Sequence, residues 1–334
     1  MSRPQSTAAP TPQSLGKTNL AAPSDVLLGK AQSFLEKGQL NDAEAALRED
    51  VKANPHSANP HFLLGYVLFR EIQAQAHRDD PQSTAVYAAP NKSLIEFRQK
   101  NARESLREYT TGARYQRPSA FDLKIVSLDY VLLGDYIDAD KWMSVSLKWN
   151  PGDSDGWYQL GRTKYSENRF TDAIAAFKQC LTLDPRNVKA EENLGLSYVG
   201  VGKHLQAIAA YQAAIAWQAN ADRKDPEPYL DLGALFLDQN RPKDAVPLFV
   251  EATKIAPSVS RAHEFLGKAY LQTNDLPKAQ IELEQAVKLS PDAARLHYIL
   301  GQVYRKEGLT AKAKAEFDRC AVLQGTRGSD PSTM

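Results

Sequence analysis

Small residues punctuate this chain at a nearly constant interval. Eight alanines mark it: Ala43, Ala102, Ala139, Ala173, Ala207, Ala245, Ala279 and Ala313. Four of the seven gaps are 34 residues, two are 37 and 38, and the first is 59. Twelve residues earlier stand further small residues, namely Ala31, Ser127, Gly161, Gly195, Gly233, Gly267 and Gly301. Between the two marks lie Gly38, Gly134, Asn168, Gly202, Asn240, Asn274 and Gly308. Glycine and asparagine are the residues that end a helix in the left-handed conformation. Twelve residues after five of the alanines comes a proline (Pro55, Pro151, Pro185, Pro257 and Pro291), which cannot continue a helix. Each period therefore predicts helix, tight turn, helix, turn, with the small residues letting the two helices approach. A period near 34 predicts a helical solenoid, whose repeats contact only their neighbours and present an extended surface.

The most complete unit is Trp157-Tyr158-Gln159-Leu160-Gly161, followed by Phe170, Ala173, Phe177 and Pro185. Leu266-Gly267, Tyr270, Ala279 and Pro291 repeat it closely. This pattern resembles the tetratricopeptide repeat family. The resemblance implies an all-α, right-handed α-solenoid of about eight helix-turn-helix units. Their expected bounds are 24–57, 58–119, 120–153, 154–187, 188–221, 226–259, 260–293 and 294–327. A disordered arm (1–23) and tail (328–334) flank the solenoid, because their composition is poor in apolar residues. The second unit carries about 28 extra residues, roughly 71–101. Asp79-Asp80-Pro81 and Ala89-Pro90-Asn91 are turn signals there. The insertion is either a surface extension, with the first helix running on to His77, or a flap over the groove.

Charge and composition narrow the function. A net charge of +1 argues against a general nucleic-acid binder, and no stretch has the 18 or so apolar residues a membrane span needs. Cys180 and Cys320 share one repeat position four units apart, too far to bridge, and read as small core residues. The lack of a disulfide framework favours the cytoplasm, while a removed leader leaves the periplasm or exterior open.

Catalytic signatures are incomplete. His263-Glu264 begins like a zinc-protease helix, but the second histidine is absent. Gly200-Val201-Gly202-Lys203 is like a phosphate loop without the first glycine or the following Ser/Thr. His61, His263 and His297 share one repeat position, held by Trp157 elsewhere, and read as packing residues. No cofactor, metal or enzymatic activity is expected.

The resemblance places function on the concave face, built by the first helix of each unit. Phe62, Tyr66, Phe69, Phe121 and Leu128 would line an apolar groove there, either open to a ligand or covered by the insertion or the arm. Tyr158, Arg162, Arg261, Lys268, Arg295, Tyr298 and Arg305 combine arginine with aromatic rings, the residue types that dominate interfaces. Arginine grips carboxylates in a two-pronged manner, so an acidic segment is a fitting ligand. Lys124 has Leu128 four residues on where a chaperone-tail clamp in this family would have Asn. The expected role is a non-catalytic protein-interaction scaffold that binds a partner's peptide or helix. The alternative is a structural or assembly subunit of a larger complex. The charged last helix (Lys312, Lys314, Glu316, Asp318, Arg319) caps the array, or else joins two copies as a homodimer.

Overall fold

A computed structural model describes residues 23–79 and 92–327. The arm, the tail and the turn signals at the centre of the insertion lie outside the described residues, apart from a helical start at Pro23 and the residues up to Asp79. Sixteen helices and no strands occur among the described residues. In order they are α1 Pro23–Glu36, α2 Leu40–Ala53, α3 Ala58–Asp79, α4 Lys92–Gly112, α5 Ala120–Leu133, α6 Tyr136–Trp149, α7 Ser154–Ser166 and α8 Phe170–Leu183. They continue as α9 Val188–Gly200, α10 His204–Trp217, α11 Glu227–Asp238, α12 Pro242–Ile255, α13 Ser260–Gln272, α14 Leu276–Leu289, α15 Ala294–Lys306 and α16 Thr310–Arg327. Consecutive helices pair as antiparallel hairpins, and each hairpin packs on the next, which makes an α-solenoid.

The turn inside each hairpin is fixed locally. Gly38, Gly134, Asn168, Gly202, Asn240, Asn274 and Gly308 all have positive φ, from 57° to 78°. Glycine has no Cβ to clash there, and asparagine is among the few other residues that tolerate it.

The hairpins close because a large ring fits against a missing side chain. A Cβ on Gly161 would lie 2.5 Å from the Phe177 ring, one on Gly233 2.5 Å from Phe249, and one on Gly195 2.6 Å from Tyr211. The ring sits four residues after the repeat alanine, and those alanines are fully buried or nearly so.

The enlarged unit obeys the same rule with a shifted register, which corrects the sequence expectation. Its ring is Tyr109 against Gly65, so the anchor four residues earlier is Ser105, not Ala102. Ser105 is fully buried and lies 34 residues before Ala139. Histidine pairing agrees: His61 meets Glu108, three residues after Ser105. Likewise His263 meets Glu282 and His297 meets Glu316, three residues after Ala279 and Ala313. The other nitrogen of each ring faces a proline carbonyl of the preceding turn, Pro55, Pro257 or Pro291, at 2.8–3.1 Å. Each of these histidines thus ties three segments together.

The insertion lengthens both helices of that unit. α3 continues past His77, and α4 begins at Lys92; their extensions meet where Asn101 Nδ2 donates to Glu71 Oε2 at 3.3 Å. Cys180 and Cys320 are buried free thiols. None of the described helices is long and apolar enough to cross a membrane.

Candidate functional site

First helices of neighbouring units touch one another: α3 meets α5, α7 meets α9, α9 meets α11, α11 meets α13 and α13 meets α15. Second helices do not approach one another to that extent. The first helices therefore form the inner side of the stack, and the nominated residues all belong to them.

At the amino-terminal end the apolar groove is largely closed. Phe62 and Phe69 are only 8% and 6% exposed. The Phe62 ring stacks on Tyr109 at 5.9 Å between centroids and occupies the space a side chain at Gly112 would need. The expectation of an open anchor at these two positions is thus corrected: both are buried, and α4 covers Phe62. Leu128 is half-buried between two core clusters. What stays accessible is Phe121, 36% exposed, edge-on to half-buried Tyr66 at 5.2 Å. The Tyr66 hydroxyl accepts from Arg70 at 2.9 Å. Lys124 is not a free cation, because Asp153 and Asp155 hold its ammonium at 2.9 and 2.7 Å.

In the middle, Arg162 is exposed and lies 5.9 Å from the ring of Tyr158, which packs on Phe177. Burial, outweighing the Arg162 charge, pushes the Tyr158 phenol up to about 12. Next along the face, the carboxyl groups of Glu192 of α9 and Asp231 of α11 interact. Burial, then the Asp231 charge, raises the Glu192 pKa well above its ordinary value.

Toward the carboxyl end the charges alternate between units. Arg261 of α13 reaches back to Glu227 and Asp231 of α11 at 2.7 and 3.3 Å. Arg295 of α15 reaches back to Glu264 of α13 at 2.6 Å, and Lys268 meets that same carboxylate at 2.6 Å. Arg261 therefore stitches units together rather than standing free. Arg295 remains 65% exposed along its length, and Tyr298 is 51% exposed beside Phe317. Arg305 also lies over Phe317, at 5.9 Å, with no carboxylate against it among the described residues. Phe317 was missed in the sequence because it belongs to a second helix; its ring reaches the inner side by packing over Gly301. No cluster of histidine, cysteine, aspartate or glutamate that could hold a metal occurs among the described residues.

A stack of helical hairpins with a polar inner face defines a helical-repeat interaction scaffold. Tetratricopeptide repeat models match residues 28–93, 158–224, 236–302 and 294–324, and the chain belongs to that family. It is 31% identical over 118 residues to the peroxisomal targeting signal receptor of Komagataella phaffii, covering 34% of this chain and 20% of the receptor. It is 35% identical over 69 residues to a human PEX5-related protein, covering 21% of this chain and 11% of that protein. The chain thus spans a fifth or less of these curated relatives. Similar solved structures include YrrB, described as a repeat protein with an unusual peptide-binding site. It shows 19% identity over 55% of this chain and 92% of that one, with a TM-score of 0.45. MamA from Desulfovibrio magneticus RS-1 shows 19% identity over 53% of this chain and 97% of that one, with a TM-score of 0.47.

Proposed function

We propose that this scaffold is non-catalytic and captures an acidic peptide or helix of a partner protein on the inner face of α13 and α15. Arg295 and Arg305 supply charge, and Tyr298 with Phe317 supplies a ring surface. One observation carries the reading: Glu264 is a single, nearly buried carboxylate facing two cations, Lys268 and Arg295. One positive charge there has no counterpart, and Arg305 adds a second. Cations held in place before the ligand arrives lose little freedom on binding, which favours affinity. At the other end, Phe121 with Tyr66 offers a smaller apolar contact for the same ligand. The similarity to targeting signal receptors supports a peptide as the ligand class, within the repeats alone.

A fluorescein-labelled peptide with a run of glutamates, titrated by anisotropy against the full chain, tests this. Binding that weakens at least tenfold in Arg295→Glu/Arg305→Glu, and falls with added salt, supports the proposal. Equal binding by a folded double variant removes it.

A further inference from the structure

We infer that Asp129 is a protonated latch: its carboxylic acid donates a hydrogen bond to Ser105 and so fastens α4, the second helix of the enlarged unit, to α3 and α5. Proton counting leads there. Ser105 Oγ lies 2.9 Å from the Gly65 carbonyl oxygen and 2.5 Å from Asp129 Oδ2. A serine hydroxyl has one proton, and a backbone carbonyl only accepts. Ser105 therefore donates to Gly65, and the shorter contact is donated by Asp129. An ionised Asp129 would leave one of the two contacts as oxygen lone pairs facing each other.

The surroundings agree. Asp129 is fully buried, and its Oδ1 has no hydrogen-bond partner among the described residues. The groups facing this junction are the Tyr66 phenol from α3, Ser105 and the Tyr109 phenol from α4, and Asp122 from α5 itself. On α6, Asp138 pairs with Lys141 and Asp140 with Lys164, while Lys148 is exposed in the last turn. No cation is paired with Asp129 among the described residues. A lone carboxylate is costly in such a place and takes up a proton instead. Burial raises its pKa well above the ordinary value.

The pair is peculiar to this junction. Elsewhere the anchor is alanine. The matching position, ten residues before the next anchor, holds Thr163, Ser197, Leu235, Ala269 or Val303. Thr163 and Ser197 satisfy their hydroxyls on their own helices. Only at this junction does a carboxyl group cross between units to meet an anchor. Ionisation would set an unpaired charge beside the Phe62–Tyr109 stack, loosen α4 and uncover that aromatic surface.

The folded pKa is raised, so the unfolded chain releases its proton first. Above the free aspartate value of about 3.9, the folding constant falls about tenfold per pH unit until folded Asp129 itself ionises.

The test uses the full chain and Asp129→Asn, whose amide keeps a donor and has no proton to lose. The parent-minus-variant infrared difference spectrum at pH 7 should contain the stretch of a protonated carboxylic acid, since any band from Glu192 is common to both proteins and cancels. The variant should melt at or above the parent at pH 8, with the gap closing toward pH 4. Absence of that band, or parallel melting curves with the variant always lower, overturns the latch. Should Asp129→Asn not fold, the difference spectrum between the parent and Ser105→Ala decides: a shifted acid band supports the latch and an unchanged one overturns it. Ser105→Ala, which must shift the band, provides the assignment.

Discussion

The Tyr109 ring presses against Gly65 so closely that a Cβ there would lie 2.8 Å from its Cε2 and 3.2 Å from the Ser105 carbonyl oxygen. This contact sets how far α4 approaches α3, and through α4 it buries Phe62. Gly65→Ala should therefore destabilise the protein by about 1–3 kcal/mol, since a buried ring and a backbone atom must both shift. Urea denaturation checks it; a change under half a kilocalorie would mean that α4 moves freely on α3.

Asn168 turns the α7–α8 hairpin at φ 59°. Asn168→Gly should be close to neutral. Asn168→Ala should cost about 1 kcal/mol, because a Cβ without a helping polar group strains the left-handed conformation. Equal melting temperatures for the two variants would show that the turn relaxes.

His263 contributes stability with a definite pH sign. The Glu282 hydrogen bond, opposed by burial and helped by the Pro257 carbonyl, raises its pKa from the ordinary value of 6.5. A raised histidine stabilises fully below its unfolded pKa, and the contribution fades as pH rises through the folded pKa. The stability difference between the parent and His263→Gln should be greatest near pH 5.5 and shrink above pH 7. A difference constant from pH 5.5 to 9 would place the imidazole as neutral throughout.

Glu264→Gln should strengthen binding of a glutamate-rich peptide several-fold, chiefly through faster association at low salt, by freeing Lys268 and Arg295. Stability should fall in the same variant, because two cations lose their shared partner. Anisotropy and thermal melting measured together check both. Weaker binding would show that Glu264 positions the cations and that its removal scatters them.

Most of the architecture was legible in the chain because it is local. The period, the hairpin units and the seven left-handed turn residues follow from glycine, asparagine and proline placed on a helical repeat. The binding face was less legible. A family register says which side of a helix a residue occupies, but not whether its neighbour covers it or neutralises it. Phe62 and Phe69 sit on first helices as expected, yet α4 buries Phe62. Arg261 lies on the inner side as expected, yet carboxylates 30 and 34 residues earlier hold it.

Ala102 and Ser105 show where sequence stops and tertiary structure begins. Three residues apart on one helix, they share a face, and both are fully buried. Residue type favoured the alanine, although the 34-residue spacing to Ala139 belongs to Ser105. The neighbouring helices decide it, through Gly65 and His61 of α3 and Asp129 of α5, and all three select Ser105. The sequence by itself determined a solenoid of helical hairpins, because those signals act within a few residues. The tertiary structure decided the register of the enlarged unit, the burial of its aromatic residues and the pairing of the inner charges. Those depend on which side chains meet across helices far apart in the chain.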